Sequence, residues 1–369
     1  MKKVFSFEIF DYNLEKIESN LKQVFKSLEL LKNFSDEKKI ILKPNLLTKP
    51  SSNLNIITTN PIVVESVIRI LLAEGIKKER IFIADGSSAI HKDMDPIFKE
   101  TGYMDLAGRY GINLVNLNKT KYIIKNRIKI SDFLEDQPHI INIAKLKTHM
   151  LTTLTLSVKN LYGLIPGESK LYYHTKYPDV ESFSEFLTKL YITIKPDINI
   201  IDGITGMQGN GPGGGDYAAT GLLLVSEDGF ALDDFVTSLL GLKTDDIPFL
   251  KIAKNTGIYN GDYQVIGNYH KLNMKMPDRN NFKVSLNFAK QKFVKHFTSN
   301  YPFIIREKCK RCFKCYKSCP AGAINIVEGY PHIRERLCIT CYCCVEVCQF
   351  KSIKVKKSIL ENLYEKFKK

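Results

Sequence analysis

The chain of 369 residues has room for one large domain and one small domain, and its hydrophobic fraction of 44% supports a substantial core. Its formal net charge is +15, but no DNA-binding motif occurs and the lysines are not interleaved with stacking aromatic residues, so the sequence argues against a nucleic-acid partner. No apolar run approaches the about 20 residues of a membrane span, and Glu8, Asp11 and Glu15 interrupt any signal-peptide core, so we expect no membrane span and a cytoplasmic protein.

Residues 1–255 alternate short runs rich in Ile, Leu and Val with helical patterns. This alternation predicts an α/β domain with a mostly parallel sheet and helices on both faces. The predicted strands are Lys39–Leu42, Ile81–Ala84, His139–Ile143, Ile198–Ile201 and Gly221–Val225. The predicted helices are Asn60–Glu74, Asp95–Tyr103, Val180–Tyr191 and Gly229–Leu240.

Polar or flexible residues follow each of the five predicted strands. In chain order they are Lys43 and Asn45; Asp85; Lys145, Lys147 and His149; Asp202 with the glycine-rich run 209–216; and residues 226–228. Ligands of open α/β sheets bind outside the carboxyl ends of the strands. We therefore expect these loops to converge on one pocket.

The glycine-rich run contains the spacing Gly209-x-Gly211-x-x-Gly214 of a dinucleotide-binding loop. It lies several residues beyond its strand and leads into another strand-like run, so the context of a dinucleotide site is missing. We interpret it as a flexible loop whose backbone at Gly209 and Gly211 approaches a ligand, with a plain surface turn as the alternative. No Gly-x4-Gly-Lys-Ser/Thr motif occurs, which argues against a P-loop nucleotidase.

The densest cationic set of the α/β region comprises Lys145, Lys147, His149 and Lys159. Together these side chains could hold a carboxylate or a phosphate. The alternative is a solvated charged edge, but Lys147 and His149 lie beside an apolar strand and not on an amphipathic helix. His91 and His174 are isolated histidines, for which a structural or exposed position is expected.

All nine cysteines lie between Cys309 and Cys348. Eight of them repeat Cys-x2-Cys-x2-Cys-x3-Cys twice, which is the bacterial ferredoxin signature for two [4Fe-4S] clusters. In two-cluster ferredoxins the fourth Cys of each run ligates the other cluster. The predicted ligands are Cys309, Cys312, Cys315 and Cys348 for the first cluster and Cys338, Cys341, Cys344 and Cys319 for the second. Cys343 is interpreted as a bystander thiol near the second cluster, with ligand exchange as the alternative.

The residues after the two cysteine runs also repeat, as Ala321–Ile326 and Phe350–Val355. This half-repeat predicts a small α+β module with pseudo-twofold symmetry, too small to fold well without its metal. Pro320 follows the first run and Gln349 the second. From residue 301 onward, 15 Lys and Arg face six Asp and Glu, a net charge of +9 that suits anionic clusters.

Two other cysteine chemistries are alternatives to clusters. A zinc site needs four ligands, usually as two separated pairs, whereas each run here has three evenly spaced cysteines and a fourth. Disulfides do not suit cysteines clustered beside a long region without any. The sequence therefore favours iron–sulfur clusters.

Several segments resemble the DUF362 family, and with the C-terminal module the resemblance covers nearly the whole chain. They are residues 41–46 (ILKPNL), 143–149 (IAKLKTH), 157–163 (SVKNLYG), and 202–203 through 209–212 to 226–228. Members of that family often carry a C-terminal two-cluster ferredoxin module. The resemblance implies an α/β domain and iron–sulfur binding, and it supplies no catalytic residue.

The predicted division is a DUF362-like α/β domain over 1–255, an ordered connecting segment over 256–300, the ferredoxin-type module over 301–357 and a C-terminal helix or tail over 358–369. The connecting segment contains Tyr263–Gly267 and a strand-like run, Phe282–Phe288, and it lacks the composition of a free tether. We expect it to fold the module back toward the loops bearing Lys43, Asp85, Lys145 and Asp202.

These patterns predict an iron–sulfur oxidoreductase that relays low-potential electrons through two clusters to a small anionic substrate. The candidate catalytic residues are Asp85, Lys145, Lys147, His149 and Asp202. The candidate substrate-binding residues are Lys43, Asn45, Lys159, Asn160, Gly209 and Gly211. One alternative is an electron-transfer or cluster-handling protein that docks a redox partner protein without its own catalysis. Another is a non-redox enzyme with structural clusters.

Overall fold

The computed structural model describes residues 1–34, 37–48, 56–88, 92–277 and 300–356. The strands are β1 Lys2–Glu8, β2 Ile40–Pro44, β3 Ile81–Asp85, β4 Asn113–Asn116, β5 Tyr122–Lys125, β6 Ile128–Ser131, β7 His139–His149, β8 Thr153–Leu154, β9 Ile198–Gln208, β10 Asp216–Ser226, β11 Tyr263–Gly267, β12 Pro302–Ile304, β13 Ile324–Val327, β14 Tyr330–Ile333 and β15 Ile353–Val355. The helices are α1 Leu14–Ser27, α2 Pro61–Ala73, α3 Asp95–Glu100, α4 Tyr103–Tyr110, α5 Leu156–Asn160, α6 Gly167–Lys176, α7 Val180–Ile194, α8 Gly229–Leu239 and α9 Pro248–Asn255, followed by two four-residue helices, Lys314–Lys317 and Cys343–Glu346.

One nine-stranded sheet organises the first 267 residues. Its order is β11-β1-β10-β9-β7-β2-β3-β4, and β8 pairs with β7 outside this path. Of the described strands in this order, β10 alone runs antiparallel to its neighbours. The predicted mostly parallel sheet is therefore confirmed.

Helices cover both faces of this sheet, as predicted. Leu42 of β2 packs with Leu21 of α1 and Val67 of α2 on one face. Ile41, the next residue back, packs on the opposite face with the cluster that contains Leu187 of α7 and Phe235 of α8. Successive residues of a strand point to opposite faces, so an uninterrupted apolar run such as that of β2 is buried on both sides.

The helix boundaries agree with the predicted ones in three of four cases. Before α2, the Asn60 side chain accepts a hydrogen bond from the Ile62 amide, and Pro61 is the first helical residue. The prediction of one helix over Asp95–Tyr103 is wrong, because the chain breaks there into α3 and α4. Gly102 lies between them with φ of +80°, a left-handed conformation that interrupts a right-handed helix.

Two predictions about the strand ends are wrong. Strands β7 and β9 each extend over 11 residues, so Lys145–His149 and Asp202 lie within strands and not in loops. The glycine-rich run 209–215 is the turn of a hairpin between β9 and β10. Because this turn reverses the chain, residues 226–228 lie at the opposite edge of the sheet from the other four strand ends.

The C-terminal module consists of two pairs of short antiparallel strands, β12 with β15 and β13 with β14. Its two cysteine loops share one backbone shape. Arg311 and Phe313 have positive φ in the first loop, and Thr340 and Tyr342 have positive φ at the equivalent places of the second. The half-repeat seen in the sequence is thus also present in the backbone.

The module lies against the carboxyl edge of the sheet, as predicted. Met150, just after β7, belongs to the apolar core of the module. The Gln349 side chain donates to Thr48 Oγ1 at 3.4 Å, and Lys351 Nζ donates to the Gly215 carbonyl at 3.2 Å. These contacts set the module beside the loops that follow β2, β7 and β9.

The chain between the two regions first adds a strand to the sheet, since β11 pairs in parallel with β1. Residues 278–299, including the predicted strand Phe282–Phe288, lie outside the described residues, as do His91 and the predicted helix or tail over 358–369. In the part of the chain that the structure describes, no helix has both the length and the apolar character needed to cross a membrane.

Candidate functional site

A cavity of about 70 Å³ lies at the junction between the carboxyl edge of the sheet and the C-terminal module. Strands β2, β3 and β7 and helices α5 and α6 form one side. Four lysines line that side, and we call the space the cationic cavity for this reason: Lys43, Lys147, Lys159 and Lys170. The module contributes Ser318, Cys343 and Glu346 from the other side. Both regions of the chain are therefore needed to form this cavity.

Lys43 and Asp85 form a buried ion pair at the ends of β2 and β3, with 2.7 Å between Lys43 Nζ and Asp85 Oδ1. The backbone amides of Leu46 and Gly86 also donate to the Asp85 carboxylate, at 2.7 and 2.8 Å. Burial lowers the pKa of Lys43, and the charge of Asp85 opposes that shift. The charge of Lys43 is therefore balanced within the protein.

Among the residues that the structure describes, no carboxylate pairs with Lys147 in this way. Its Nζ donates to Asn45 Oδ1 at 2.7 Å and to the Ile57 carbonyl at 3.0 Å. Burial lowers the pKa of Lys147 to about 7, and the nearby charge of Lys159 adds to the effect. An ammonium has three donors, so one donor of Lys147 is left for a ligand.

Lys170 of α6 is a site residue that the sequence analysis missed. Its Nζ donates to the carbonyls of Gly86 and Ser87 and to Asn118 Oδ1, each at 2.8 Å. Burial lowers its pKa to about 7. Because all three donors are used, Lys170 contributes charge to the cavity but no free hydrogen bond. In the sequence Lys170 is one lysine among other polar residues of a helix, and nothing there predicts that it lines a cavity.

Lys159, at the end of α5, differs from the other three lysines. Within the described ranges, no atom accepts a hydrogen bond from its Nζ and no carboxylate lies within 4.0 Å of it; the nearest interaction is with the Tyr162 ring, whose centroid is 6.0 Å away. Burial lowers its pKa, and the charge of Glu346 opposes this shift. Helix α5 is held in place by the buried Asp233, whose carboxylate accepts from the amides of Ser157 and Val158.

His149 and Glu346 join the two sides of the cavity, with 3.1 Å between His149 Nε2 and Glu346 Oε1. The Leu151 amide donates to His149 Nδ1 at 3.0 Å, so that Nδ1 carries no proton and Nε2 is the donor to Glu346. Burial and then Lys159 lower the pKa of His149 to about 3, so the ring is neutral. Burial alone would raise the pKa of Glu346, but His149 and Lys159 lower it to about 2.

His174 of α6 lines the cavity, although the sequence analysis expected a structural or exposed position for it. The ring is stacked on Phe183 with 4.6 Å between centroids. Burial lowers its pKa to about 4, so it is neutral at physiological pH. His174 therefore has both a packing partner and a face toward the cavity.

Asn45 and Asn160, both candidates from the sequence, position the lysines. Asn45 Nδ2 donates to Asn160 Oδ1 at 2.9 Å, while its own Oδ1 accepts from Lys147. Asn160 Nδ2 donates to the Lys43 carbonyl at 3.2 Å and to Asn142 Oδ1 at 2.8 Å. This chain of amides links β2, β7 and α5, so the lysines on those elements cannot move independently.

Close contacts explain why the segment of residues 157–163 ends in a glycine, Gly163. A Cβ at this position would lie 2.7 Å from Lys43 Nζ and would also collide with Asp85 Oδ1. Any side chain here would therefore displace the buried ion pair. The requirement comes from close approach and not from backbone conformation.

Five candidates from the sequence do not line the cavity: Lys145, His149, Asp202, Gly209 and Gly211. His149 is connected to it through its bond to Glu346. Lys145 and Asp202 form a separate ion pair, whose atoms are 2.9 Å apart and fully buried. They are excluded because both point into a network that includes Tyr12 and is already complete. Gly209 and Gly211 belong to the hairpin turn, where the Met150 amide donates to the Gly211 carbonyl at 3.1 Å. The neighbouring Pro212, and neither glycine, lines the cavity.

The cysteines surround two further cavities in the module. One is lined by Cys309, Cys312, Cys315 and Cys348. The other is lined by Cys319, Cys338, Cys341 and Cys344. These two sets are the ligand sets that the sequence predicts. In the second set the amides of Ala323 and Thr340 donate to the sulfurs of Cys319 and Cys338, at 3.2 and 3.4 Å, and such bonds stabilise thiolate ligands of clusters.

The residues present fit clusters better than single metal ions. Among the described residues, no three metal-binding side chains converge on one point. A zinc ion draws its thiolates to about 2.3 Å from one centre, whereas a cubane holds its four thiolates apart around its core. Sulfurs arranged around a cavity, as here, therefore match the donor set of a cubane.

Cys343 lines neither of these two cavities. Its buried thiol faces the cationic cavity, beside Glu346. Cys341 and Cys344, on either side of Cys343 in the sequence, both line the second cysteine cavity, whereas the side chain of Cys343 points the other way.

Comparisons with known proteins agree with these two regions. Residues 40–238, more than half of the chain, match the family model of the domain of unknown function DUF362. Residues 301–349 match the model of a 4Fe-4S dicluster domain. A thylakoid-associated protein of Synechocystis sp. is 34% identical over 225 residues, which are 60% of this chain and 68% of that protein. The first range contains all four lysines of the cationic cavity, and the second contains all nine cysteines.

Proposed function

Because the chain belongs to the DUF362 family and its C-terminal region is a 4Fe-4S dicluster domain that binds iron–sulfur, we propose that it is an oxidoreductase acting on a small anionic substrate in the cationic cavity. One observation carries the proposal: the cavity has lysines of the α/β domain on one side and Cys343 and Glu346 of the module on the other. A substrate there would be next to the cysteines of the electron-transfer region.

The proposal includes two [4Fe-4S] clusters, one in each cysteine cavity. When bound, the clusters supply single electrons at low potential. The support for two is that eight cysteines divide into two sets of four, each around its own cavity. The ligands are the two sets that line these cavities, and Cys343 is left as a free thiol.

The two cysteine sets differ in exposure, which suggests a role for each. Each set has one buried cysteine, Cys315 or Cys344, but only the first set has one that is exposed to solvent, Cys312. Cys344 is also adjacent to Cys343, which lines the cationic cavity. We therefore assign the first set to the side that meets a redox partner protein and the second set to the side that meets the substrate.

Two buried lysines suit the proton requirements of a reduction. Burial lowers the pKa of Lys147 and of Lys170 to about 7, near the value at which a group donates and regains protons readily. Reduction of a substrate by two electrons consumes two protons. Lys147 holds one beside the cavity, whereas Lys170, whose three N–H groups are bonded to the protein, supplies the second only after one of those bonds opens. The Lys43 and Asp85 pair, whose charges are balanced, keeps the lysine-bearing strands in position.

The test uses anaerobically purified protein with its clusters. Native mass spectrometry first counts iron and sulfide and identifies any retained small molecule. The clusters are then reduced and mixed with a panel of small carboxylates and phosphates while their visible absorbance is followed. We expect at least one anion to reoxidise the clusters repeatedly, and Lys147→Met to slow that reaction. Lys189→Met removes an exposed lysine of α7 and should have no effect.

The result that would overturn the proposal is reoxidation by a redox protein but by none of the anions. That outcome would favour an electron-transfer or cluster-handling protein without its own catalysis. Anion turnover with unchanged cluster absorbance would favour a non-redox enzyme. The cytoplasmic location stays a prediction, and the name of the Synechocystis relative places only that relative at thylakoids.

A further inference from the structure

We infer that the cavity is a site for a small dianion with oxygen acceptors, and that Thr155 Oγ1 and Lys159 Nζ are its principal hydrogen-bond donors. This inference rests on the proposed function and names the chemical class of its substrate. Thr155 lies directly before α5 and lines the cavity. We assign this role to Thr155 because its buried hydroxyl lacks a hydrogen-bond partner among the described residues.

The hydroxyl of Thr155 is buried and, within the described part of the chain, has no hydrogen-bond partner. The residue as a whole is 3% exposed. Buried polar groups are nearly always paired, because an unpaired one loses its bonds to water without replacement. A buried hydroxyl without a partner on a cavity wall therefore indicates that something in the cavity bonds to it, and the neighbouring ammonium groups make an acceptor the fitting partner.

Lys159 gives a second, independent indication. Its Nζ also has no acceptor or carboxylate partner among the described residues, although it is partly buried. An ammonium has three donors and no acceptor. Lys147 contributes one further free donor, and Lys170 none, because its three bonds are made. The polar wall formed by these groups donates, so the ligand must accept.

The charges on the walls indicate the charge of the ligand. Asp85 balances Lys43 at 2.7 Å. Within the described ranges, Glu346 pairs at short distance with the neutral His149 alone, so its charge offsets one of the remaining three lysines. When Lys147, Lys159 and Lys170 are protonated, the excess is therefore about two positive charges, which a dianion neutralises.

The size of the cavity limits the ligand further. Sites for drug-sized molecules have volumes of about 300–1,000 Å³, whereas this cavity has about 70 Å³. A phosphate or a short dicarboxylate is small enough, and a nucleotide is not. Phosphate and dicarboxylate share the required chemistry, which is two negative charges on acceptor oxygens.

Isothermal titration calorimetry of the oxidised protein with its clusters distinguishes these ligands, using inorganic phosphate, malonate and acetate as probes. We expect phosphate or malonate to bind, and acetate to bind at least about ten times more weakly, because it has one charge. Thr155→Val keeps the shape but lacks the hydroxyl, so it should weaken dianion binding by about tenfold. Thr155→Ser should restore most of the affinity.

The chain offers a matched control in Ser157. Ser157 has a buried hydroxyl two residues from Thr155, but it lies beside Asp233 and does not line the cavity. Ser157→Ala should therefore leave dianion binding unchanged. Iron content and thermal unfolding of each variant show whether it is folded.

Three results would overturn the inference: no dianion binds the wild-type protein, acetate binds as tightly as the dianions, or Thr155→Val binds as tightly as wild type. Calorimetry on oxidised protein moves no electrons, so it is independent of the proposed reaction. Normal dianion binding without any reoxidation of reduced clusters would instead overturn the oxidoreductase proposal and leave the binding site standing.

Discussion

Lys145 and Lys147 lie two residues apart on the same strand, and both are buried, yet their surroundings differ. Lys145 Nζ meets Asp202 at 2.9 Å and also donates to Tyr12 and Thr205, at 2.9 and 3.1 Å. Lys147 Nζ meets only neutral oxygens. Removing one partner of a buried ion pair leaves an uncompensated buried charge and is strongly destabilising. A buried cation without a carboxylate partner is instead available to an anionic ligand.

The module repeats this comparison with cysteines. Cys341 and Cys343 are also two residues apart, and both are shielded from solvent to a large degree. Cys341 points into the second cysteine cavity, and Cys343 points into the cationic cavity. In both pairs, burial alone does not distinguish a structural residue from one that faces a ligand; the partners of the side chain do.

The largest expected difference is between Cys341→Ala and Cys343→Ala. With two clusters the protein should contain about eight iron and eight sulfide per chain. Cys341→Ala removes a proposed ligand, so it should lose about half of the iron or destabilise the whole module. Cys343→Ala should keep the full content, measured by iron and labile-sulfide assays after anaerobic reconstitution. Equal loss in both variants would show that the proposed ligand sets are wrong.

The next effect concerns the stability of the α/β domain. Lys145→Met leaves the Asp202 carboxylate buried without its counterion, which should lower the free energy of unfolding by about 3–5 kcal/mol. Lys147→Met breaks bonds to neutral acceptors only and should cost about 1 kcal/mol. Urea denaturation measures both. The double variant Lys145→Met/Asp202→Leu should regain most of the lost stability. Similar losses for Lys145→Met and Lys147→Met would contradict the difference between a lysine with a buried counterion and one without.

Ligand binding should show the reverse order. Lys147→Met should weaken phosphate binding by about 1.5–3 kcal/mol, because it removes a charge-assisted bond. Lys145→Met, in the fraction that remains folded, should bind phosphate as wild type does, since Lys145 lies outside the cavity. Calorimetric titration of both variants gives the comparison. If Lys145→Met weakened binding as much as Lys147→Met, the complete network around Lys145 would have to take part in the site.

The last comparison is a pH dependence with two opposite directions, gradual over several pH units. In the folded protein the pKa of Lys147 and of Lys170 is lowered to about 7 from the usual 10.5. Between these values the unfolded chain holds more protons than the folded protein, so stability rises with pH, by up to about 1.4 kcal/mol per pH unit for each lysine. In the part of this range where phosphate is already a dianion, phosphate affinity should fall with rising pH, because the lysines lose their charge while the ligand keeps its own.

Urea denaturation and phosphate titrations between about pH 6 and pH 9 measure these two trends. His149 and Glu346 do not interfere, since their pKa values are lowered to about 3 and about 2 and their charges stay constant in that range. Lys147→Met should reduce both slopes. Phosphate affinity that is flat across this range would argue against neutral-pH titration of the lysines.

Part of the cationic cavity could be predicted from the sequence. Lys43, Asn45 and Asp85 directly follow or end buried parallel strands, and such strand ends meet at one edge of a sheet. The same reasoning also included Asp202 and Lys145, which lie outside the cavity because their side chains pair with each other in the interior. One sequence feature could have indicated Glu346 as a site residue, since it is an acidic residue inside a cysteine run of a positively charged module. Lys170, His174 and Thr155 had none.

By itself the sequence determined the elements whose causes are local. Cysteine spacing specifies which thiols can reach one cluster, and helix caps such as Asn60 and uninterrupted apolar strands specify a parallel sheet between helices. Only the tertiary structure decided which lysines are neutralised and which face a ligand. That outcome depends on contacts between residues far apart in the chain. Asp85 meets Lys43 where strands β2 and β3 pair, and Glu346 meets His149 where the module packs onto the sheet edge.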